Sequence, residues 1–191
     1  MGLEKQYAIK PDTMAILPQH DEFGYLHTLM CHRQGTTVAD MSPFELIERN
    51  LQYLGSSIHG ATLSSKALIG ASHRYPLVIN EELDIILMPC VSPKRHDCIW
   101  FSIRHIRKTE KHGADETLVH MSSGGTIIAN ISKLGFDTRL KKAYELRYKT
   151  LTRKREFVAL INEPSEVYHL KKDGNRLNFE LSPSEESKRI F

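Results

Sequence analysis

Apolar residues in this chain come in short runs cut by turn residues, and few stretches hold a helical period for long. Runs such as Thr13-Met14-Ala15-Ile16-Leu17 and Tyr25-Leu26-His27-Thr28-Leu29-Met30, separated by Pro18 and the polar Gln19–Gly24, are the punctuation of strands joined by turns. Residues 7–39 therefore predict a β meander. From Pro76 the pattern returns: Leu77-Val78-Ile79 and Ile85-Ile86-Leu87-Met88, ended by Pro89, form a pair of strands around Asn80-Glu81-Glu82. A further strand is expected from Cys98 to Ile106 through Trp100. Thr117-Leu118-Val119-His120-Met121 and Thr126–Ile131 flank Ser122-Ser123-Gly124-Gly125, whose glycines supply the positive φ of a tight hairpin.

Two segments carry the helical period instead. Ser42-Pro43-Phe44-Glu45 is a capping box with proline at the first helical position, and Phe44, Ile47, Leu51 and Leu54 follow up to Gly55, which ends the helix in a left-handed conformation. A weaker helix follows between Gly55 and Ser72, with Leu63, Ala67 and Ile69 on its face. In the second strong segment Phe136, Leu140, Ala143-Tyr144 and Leu151 recur at helical spacing. The expected class is α+β: mostly antiparallel strands and hairpins, a capped helix near 43–54 and a basic helix near 133–151. No internal repeat and no linker-like stretch stands out. Residues 1–155 are expected to form one domain, and 156–191 a partly mobile, regulatory C-terminal segment in which Val167–Leu170 and Leu177–Leu181 make a hairpin around Asp173-Gly174.

Net charge is only +3, yet residues 133–155 hold nine basic residues against Asp137 and Glu145. Lys142, Lys149 and Arg153 project away from the apolar arc, and a helix of this length, on the order of 28 Å, matches about one turn of duplex DNA. Lys94, Arg95, Arg104, Arg107, Lys108 and Lys111 form a second cationic segment on or beside the Trp100 strand. The candidate DNA-binding residues are Arg95, Arg104, Arg107, Lys108, Arg139, Lys141, Lys142, Arg147, Lys149, Arg153, Lys154 and Arg155. Arg147 sits inside the apolar arc, where its guanidinium either pairs with a carboxylate or points into a groove. The same cations admit an RNA-binding module, with Trp100 or Tyr148 stacking on unpaired bases, or a regulatory factor that meets an acidic protein.

Other chemistry has little support. His20, His27, Cys31 and His32 lack zinc-finger spacing, and Cys90, His96 and Cys98 are read as buried thiols beside an exposed imidazole. With no G-x-S-x-G elbow, phosphate loop or G-x-G-x-x-G, neither an enzyme nor a cofactor or metal site is expected. Aliphatic runs fall far short of the roughly 20 residues of a membrane span, and the N-terminus lacks the pattern of a secretory signal, so a cytoplasmic, nucleoid-associated protein is expected.

A longer pattern runs through the chain. It comprises Ala15-Ile16-Leu17-Pro18, Gly55-Ser56-Ser57, Ser72-His73 with Pro76, and Ile85, Leu87, Pro89 and Ser92. It continues with Arg95, Cys98, Trp100, Ser102, His105, then Ser122, Gly124, Thr126, Ile131-Ser132, and Phe136, Lys142, Leu146, Arg147 and Lys149. In this order and spacing the chain resembles the ComK family, the competence transcription factors of Firmicutes. The resemblance implies a non-enzymatic activator of genes for DNA uptake that binds paired A-rich and T-rich boxes through the minor groove. It further implies a homo-oligomer, dimer or tetramer, on double-stranded DNA, working with RNA polymerase, and an adaptor that delivers the protein to a Clp protease. The nearest match to the adaptor motif is Phe157, Val158, Ala159 and Leu160, although the closely following proline is absent. The β-branched and aromatic content of that segment equally fits a core strand.

Overall fold

Ser42 lies in extended backbone and its Oγ accepts the Glu45 amide at 3.2 Å, so the chain turns into α1 (Pro43–Tyr53) where the capping box predicts. Leu46, Ile47 and Leu51 face the core, while Leu54 is exposed and Asn50 occupies a buried position. Asn50 fits because every arm of its amide is used. Its Oδ1 accepts the Ile9 amide at 2.9 Å, and its Nδ2 donates to the Tyr7 and Leu46 carbonyls, tying the N-terminal segment to α1. Gly55, at φ 77°, ends the helix. The weaker helix exists as α2 (Ile58–Ile69), capped by Ser57, but it buries Ala61, Ser65 and Ile69 and exposes Leu63.

The computed structural model describes residues 3–161, 167–173 and 176–182, with side chains through 158. The chain divides into two units, Met1–Thr150 and Leu151–Phe191. In the first, β1 (Thr13–His20), β2 (Leu26–His32), β3 (Gly35–Ala39), β4 (Leu77–Asn80), β5 (Ile85–Pro89) and β6 (Trp100–Ser102) form an antiparallel sheet in the order β3-β2-β1-β6-β5-β4. A second antiparallel sheet contains β7 (Ile106–Lys111), β8 (Thr117–Met121) and β9 (Thr126–Ala129) in sequential order. Trp100, Phe101, Ile16, Met30 and Leu87 are completely enclosed. The third helix, α3, spans Lys133–Ile161. In the second unit β10 (Val167–Asp173) pairs with β11 (Arg176–Ser182), the C-terminal hairpin read from the sequence. No helix among the described residues is long and apolar enough to cross a membrane.

Three sequence expectations change. The strand placed from Cys98 to Ile106 is instead β6, a 3-10 turn at Ile103–His105, and the start of β7 in the other sheet. His105 explains the break: it is buried, its Nε2 donates to the Pro11 carbonyl at 2.7 Å, and its Nδ1 meets Ser122 Oγ at 2.8 Å. An alternating strand could not present one imidazole to both partners. The segment 157–161 is helical, not a strand, because α3 continues through it.

The third change is an internal repeat: β1-β2-β3-α1 and β7-β8-β9-α3 are built the same way. Both first strands shift register at the same place, Thr13/Ala15 against His32 and Cys31, and Ile106/Lys108 against Met121 and His120. Arg33 N–H donates to the Asp12 carbonyl as Ser122 N–H does to that of His105. Thr28 pairs with Ala39 and bonds the Met41 carbonyl through Oγ1, and Thr117 pairs with Ala129 and bonds that of Ile131, both at 2.7 Å. Ser42 caps α1 and Ser132 caps α3. The written trace is short, Thr36-Thr37-Val38-Ala39-Asp40-Met41-Ser42 against Thr126-Ile127-Ile128-Ala129-Asn130-Ile131-Ser132.

Thr28→Val and Thr117→Val each strand a buried carbonyl. Each is expected to lower stability by about 1–3 kcal/mol, measured by urea unfolding. Comparable losses are predicted because the two threonines play the same role. A loss confined to Thr28 would make the likeness one of shape only.

Candidate nucleic-acid interface

Lys133 to Thr150 of α3 lie in the first unit. Its docked side is narrow: Phe136, Ala143 and Leu146 are buried, and the Phe136 ring meets Phe101 of β6 edge-on, centroids 5.3 Å apart. Tyr144 adds a hydroxyl bond to the Ile103 carbonyl at 3.3 Å. Leu151, expected on the apolar arc, is exposed. The remaining faces carry the basic residues.

Most of the cations of α3 in this unit are already engaged. Glu145 accepts from Lys142 at 2.8 Å and from Lys149 at 2.9 Å. The same ammonium groups reach the last carbonyls of α2, Lys149 to Leu68 at 2.9 Å and Lys142 to Ile69 at 3.4 Å. These oxygens lack helical partners and carry the negative end of the helix dipole, so lysine suits them. Lys142 and Lys149 therefore lie against α2 and do not project freely. Arg147 grips Asp84, with Nε at 2.8 Å from one carboxylate oxygen and Nη2 at 2.6 Å from the other. The pairing branch of the sequence reading is the one realised. Lys133 pairs with Asp137, whose other oxygen accepts Thr109 Oγ1 at 2.8 Å.

The Thr109–Asp137 bond sets α3 beside β7. Lys141, one helical turn beyond Asp137, lies on the same side of the helix, exposed and without an ion-pair partner among the described residues. Arg107 and Lys111 of β7 are likewise exposed and unpaired among those residues. Lys108 is shared with Glu110, which also takes His120 at 2.9 Å. Alternation along β7 puts Arg107 and Lys111 on the face of Thr109, the side that meets Asp137 of α3, whereas Lys108 pairs with Glu110 on the other face and Lys133 is taken by Asp137. Arg107, Lys108 and Lys111 belong to β7, not to the Trp100 strand.

Other candidates stand elsewhere. Arg95 bonds Asp97 at 2.6 and 2.8 Å on an exposed turn that also shows Lys94, and Arg104 donates to the Leu83 carbonyl at 3.1 Å. Arg139 is half-buried, its Nη1 enclosed without a partner among the described residues, and burial lowers its pKa. Arg153, Lys154 and Arg155 are exposed on the part of α3 in the second unit. Trp100 is 0% exposed, which removes it as a stacking platform, whereas Tyr148 is 69% exposed. Sequence reasoning missed Asp84 and the α2 carbonyls, because helical spacing says nothing of partners more than 60 residues away. Asp84 carries one visible anomaly, a non-glycine residue at φ 53°.

Hydrogen bonds from Lys142 and then Lys149 hold the Glu145 carboxyl at about 2, against its ordinary 4.5. A carboxyl lowered by folding stabilises the fold above its unfolded pKa, and that contribution disappears as pH falls towards the folded value. Stability is therefore expected to decline from about pH 4.5 to about pH 2. Glu145→Gln should flatten that limb in urea unfolding across pH. An unchanged limb would mean the two lysines are not holding the carboxylate.

The first unit is thus an α+β fold of a six-stranded and a three-stranded antiparallel sheet with three helices, and among the described residues Arg107, Lys111 and Lys141 are its exposed, unpaired cations on β7 and α3. The chain belongs to the ComK protein family, whose model matches residues 4–155. It is similar to the competence transcription factor of Bacillus subtilis (strain 168), 26% identical over 145 residues that cover 76% of this chain and 75% of that one. No solved structure matches it.

Proposed function

We propose that this protein is a competence transcription activator that binds AT-rich double-stranded DNA, largely through the minor groove, and has no enzymatic role. The reading is carried by the family match, which extends over almost all of the first unit. The flank of Arg107, Lys111 and Lys141 supplies the chemistry. A narrow A-tract groove concentrates negative potential, and lysine or arginine placed along it gains both attraction and shape selectivity. Each phosphate neutralised releases counterions, so affinity falls with salt by about 0.9 log unit per contact.

Residues 1–155 form the DNA-binding portion in this proposal and 156–191 a regulatory segment. Arg153, Lys154 and Arg155 add phosphate contacts. Arg95, Arg104, Lys108, Arg139, Lys142, Arg147 and Lys149 act mainly by shaping the surface, since each is paired or half-buried. Paired boxes call for a homo-oligomer of matching symmetry, which then engages RNA polymerase. Phe157 and Val158 are exposed on α3 and suit an adaptor that delivers the protein to a Clp protease. The side chains of Ala159 and Leu160 lie outside the described residues.

Binding to an A-tract duplex and a GC-rich duplex across a salt series tests the reading. The expected result is a preference for the A-tract that persists at physiological salt. Equal affinity would remove the selective part, and tighter binding to single-stranded RNA would move the activity to an RNA-binding role in which Tyr148 stacks on bases.

A further inference from the structure

Cys90 and Cys98 sit where β5 and β6 run out into the turn of residues 91–97. The Cys90 amide donates to the Ile99 carbonyl at 2.9 Å, and the Ile99 amide donates to Cys90 Sγ at 3.3 Å, which makes Cys98 the next residue along from Cys90's partner. Cys98 Sγ lies 3.7 Å from the Val91 carbonyl and 3.8 Å from that of Ile99, so both sulfurs lie against the Ile99 backbone between the two strands. Each cysteine is 1% exposed. Arg139 of α3 has an enclosed Nη1 without a partner among the described residues, and its charge bears on both thiols. That charge favours a thiolate, while Asp97 at the end of the same turn opposes one.

The two thiols are not equivalent. The neighbouring Cys98 thiol lowers the Cys90 pKa, with the Ile99 amide and Arg139 acting the same way against burial and Asp97, whereas Cys90 and burial push Cys98 up. Cys31, though more exposed, is also pushed up by burial. Exposure therefore ranks Cys31 as the most reactive cysteine, and local chemistry ranks Cys90 first.

We propose that Cys90 and Cys98 are an oxidisable dithiol, closed to a disulfide by hydrogen peroxide, with Arg139 as the positioning residue whose charge favours the attacking sulfur. The Cys90 sulfur breaks the peroxide O–O bond and becomes a sulfenic acid, releasing hydroxide. The Cys98 sulfur then attacks it, the S–O bond breaks, and a second hydroxide leaves. The two thiol protons convert both hydroxides to water, so the dithiol loses two electrons and the peroxide gains them. Access requires opening of the turn at 91–97, a local event that does not need global unfolding. In the disulfide neither sulfur can carry the charge that faces Arg139, so the state of the pair reaches α3.

Hydrogen peroxide added to the folded wild-type chain, followed by acid quench, denaturation and alkylation, tests this directly. The expected result is loss of two thiols, a Cys90–Cys98 cross-linked peptide, free Cys31, and full recovery with dithiothreitol. Cys98→Ser should leave a sulfenic acid on Cys90 that dimedone traps. Arg139→Gln should slow the first step on the order of tenfold, and Arg139→Lys should restore it. Retention of all three thiols at millimolar peroxide, or oxidation of Cys31 ahead of Cys90, would overturn the proposal. The wild-type measurement decides even where a variant fails to fold.

Discussion

Replacing Arg107, Lys111 and Lys141 together by alanine is expected to reduce the salt dependence of duplex binding by about 2.7 in the slope of log K against log salt. The three are exposed and unpaired among the described residues, so their loss leaves no carboxylate stranded and the fold should be unaffected. Weakening should be greater on the A-tract duplex than on the GC-rich one, because the narrow groove is what these side chains are proposed to enter. The informative contrast is Lys142→Ala with Lys149→Ala. Those ammonium groups already serve Glu145 and the end of α2, so the pair should lower stability and leave the slope unchanged. The reverse pattern, a reduced slope for Lys142 and Lys149 and none for the other three, would put the interface on the opposite side of α3.

Phe136→Ala should have the largest effect on stability, a loss of roughly 3–5 kcal/mol in urea unfolding. Phe136 is fully buried and is the ring through which the start of α3 meets β6. Phe136→Leu retains most of the volume and should recover much of the loss. Because the proposed interface draws on both α3 and β7, which the Thr109–Asp137 bond joins, the alanine variant should also lose duplex binding. A loss under about 1 kcal/mol would mean that α3 is docked by other contacts.

What the sequence made readable follows from what local chemistry decides. The Ser42 cap, the left-handed Gly55 and the Ser122–Gly125 turn, with Gly124 at φ 90°, depend on a few adjacent residues and stand as expected. Strand runs with clear alternation also stand. The break at Ile103–His105 was hidden because its cause is remote: His105 answers to Pro11 and Ser122. The repeat was hidden for a related reason, since many of the matching features are backbone bonds that leave the side chains free to differ, and the chain from Thr117 to its partner Ala129 is one residue longer than that from Thr28 to Ala39. At the candidate interface the charge run over 133–155 was plain, but its division into engaged and available cations was not. A wheel projection assigns sides to a helix without saying what stands opposite, so Lys142 and Lys149 read as outward when α2 lies there to receive them.

The repeated β-β-β-α arrangement gives its two copies different obligations. In the first copy β1 is enclosed between β2 and β6, and Met14, Ala15 and Ile16 are committed to the interior. In the second copy β7 is the outermost strand of its sheet, and the corresponding positions hold Arg107, Lys108 and Thr109. One copy is thus held to its job by packing, while the other can exchange surface residues without loosening the molecule. Surface contacts can therefore change through the second copy alone, while the first preserves the architecture that makes the change tolerable.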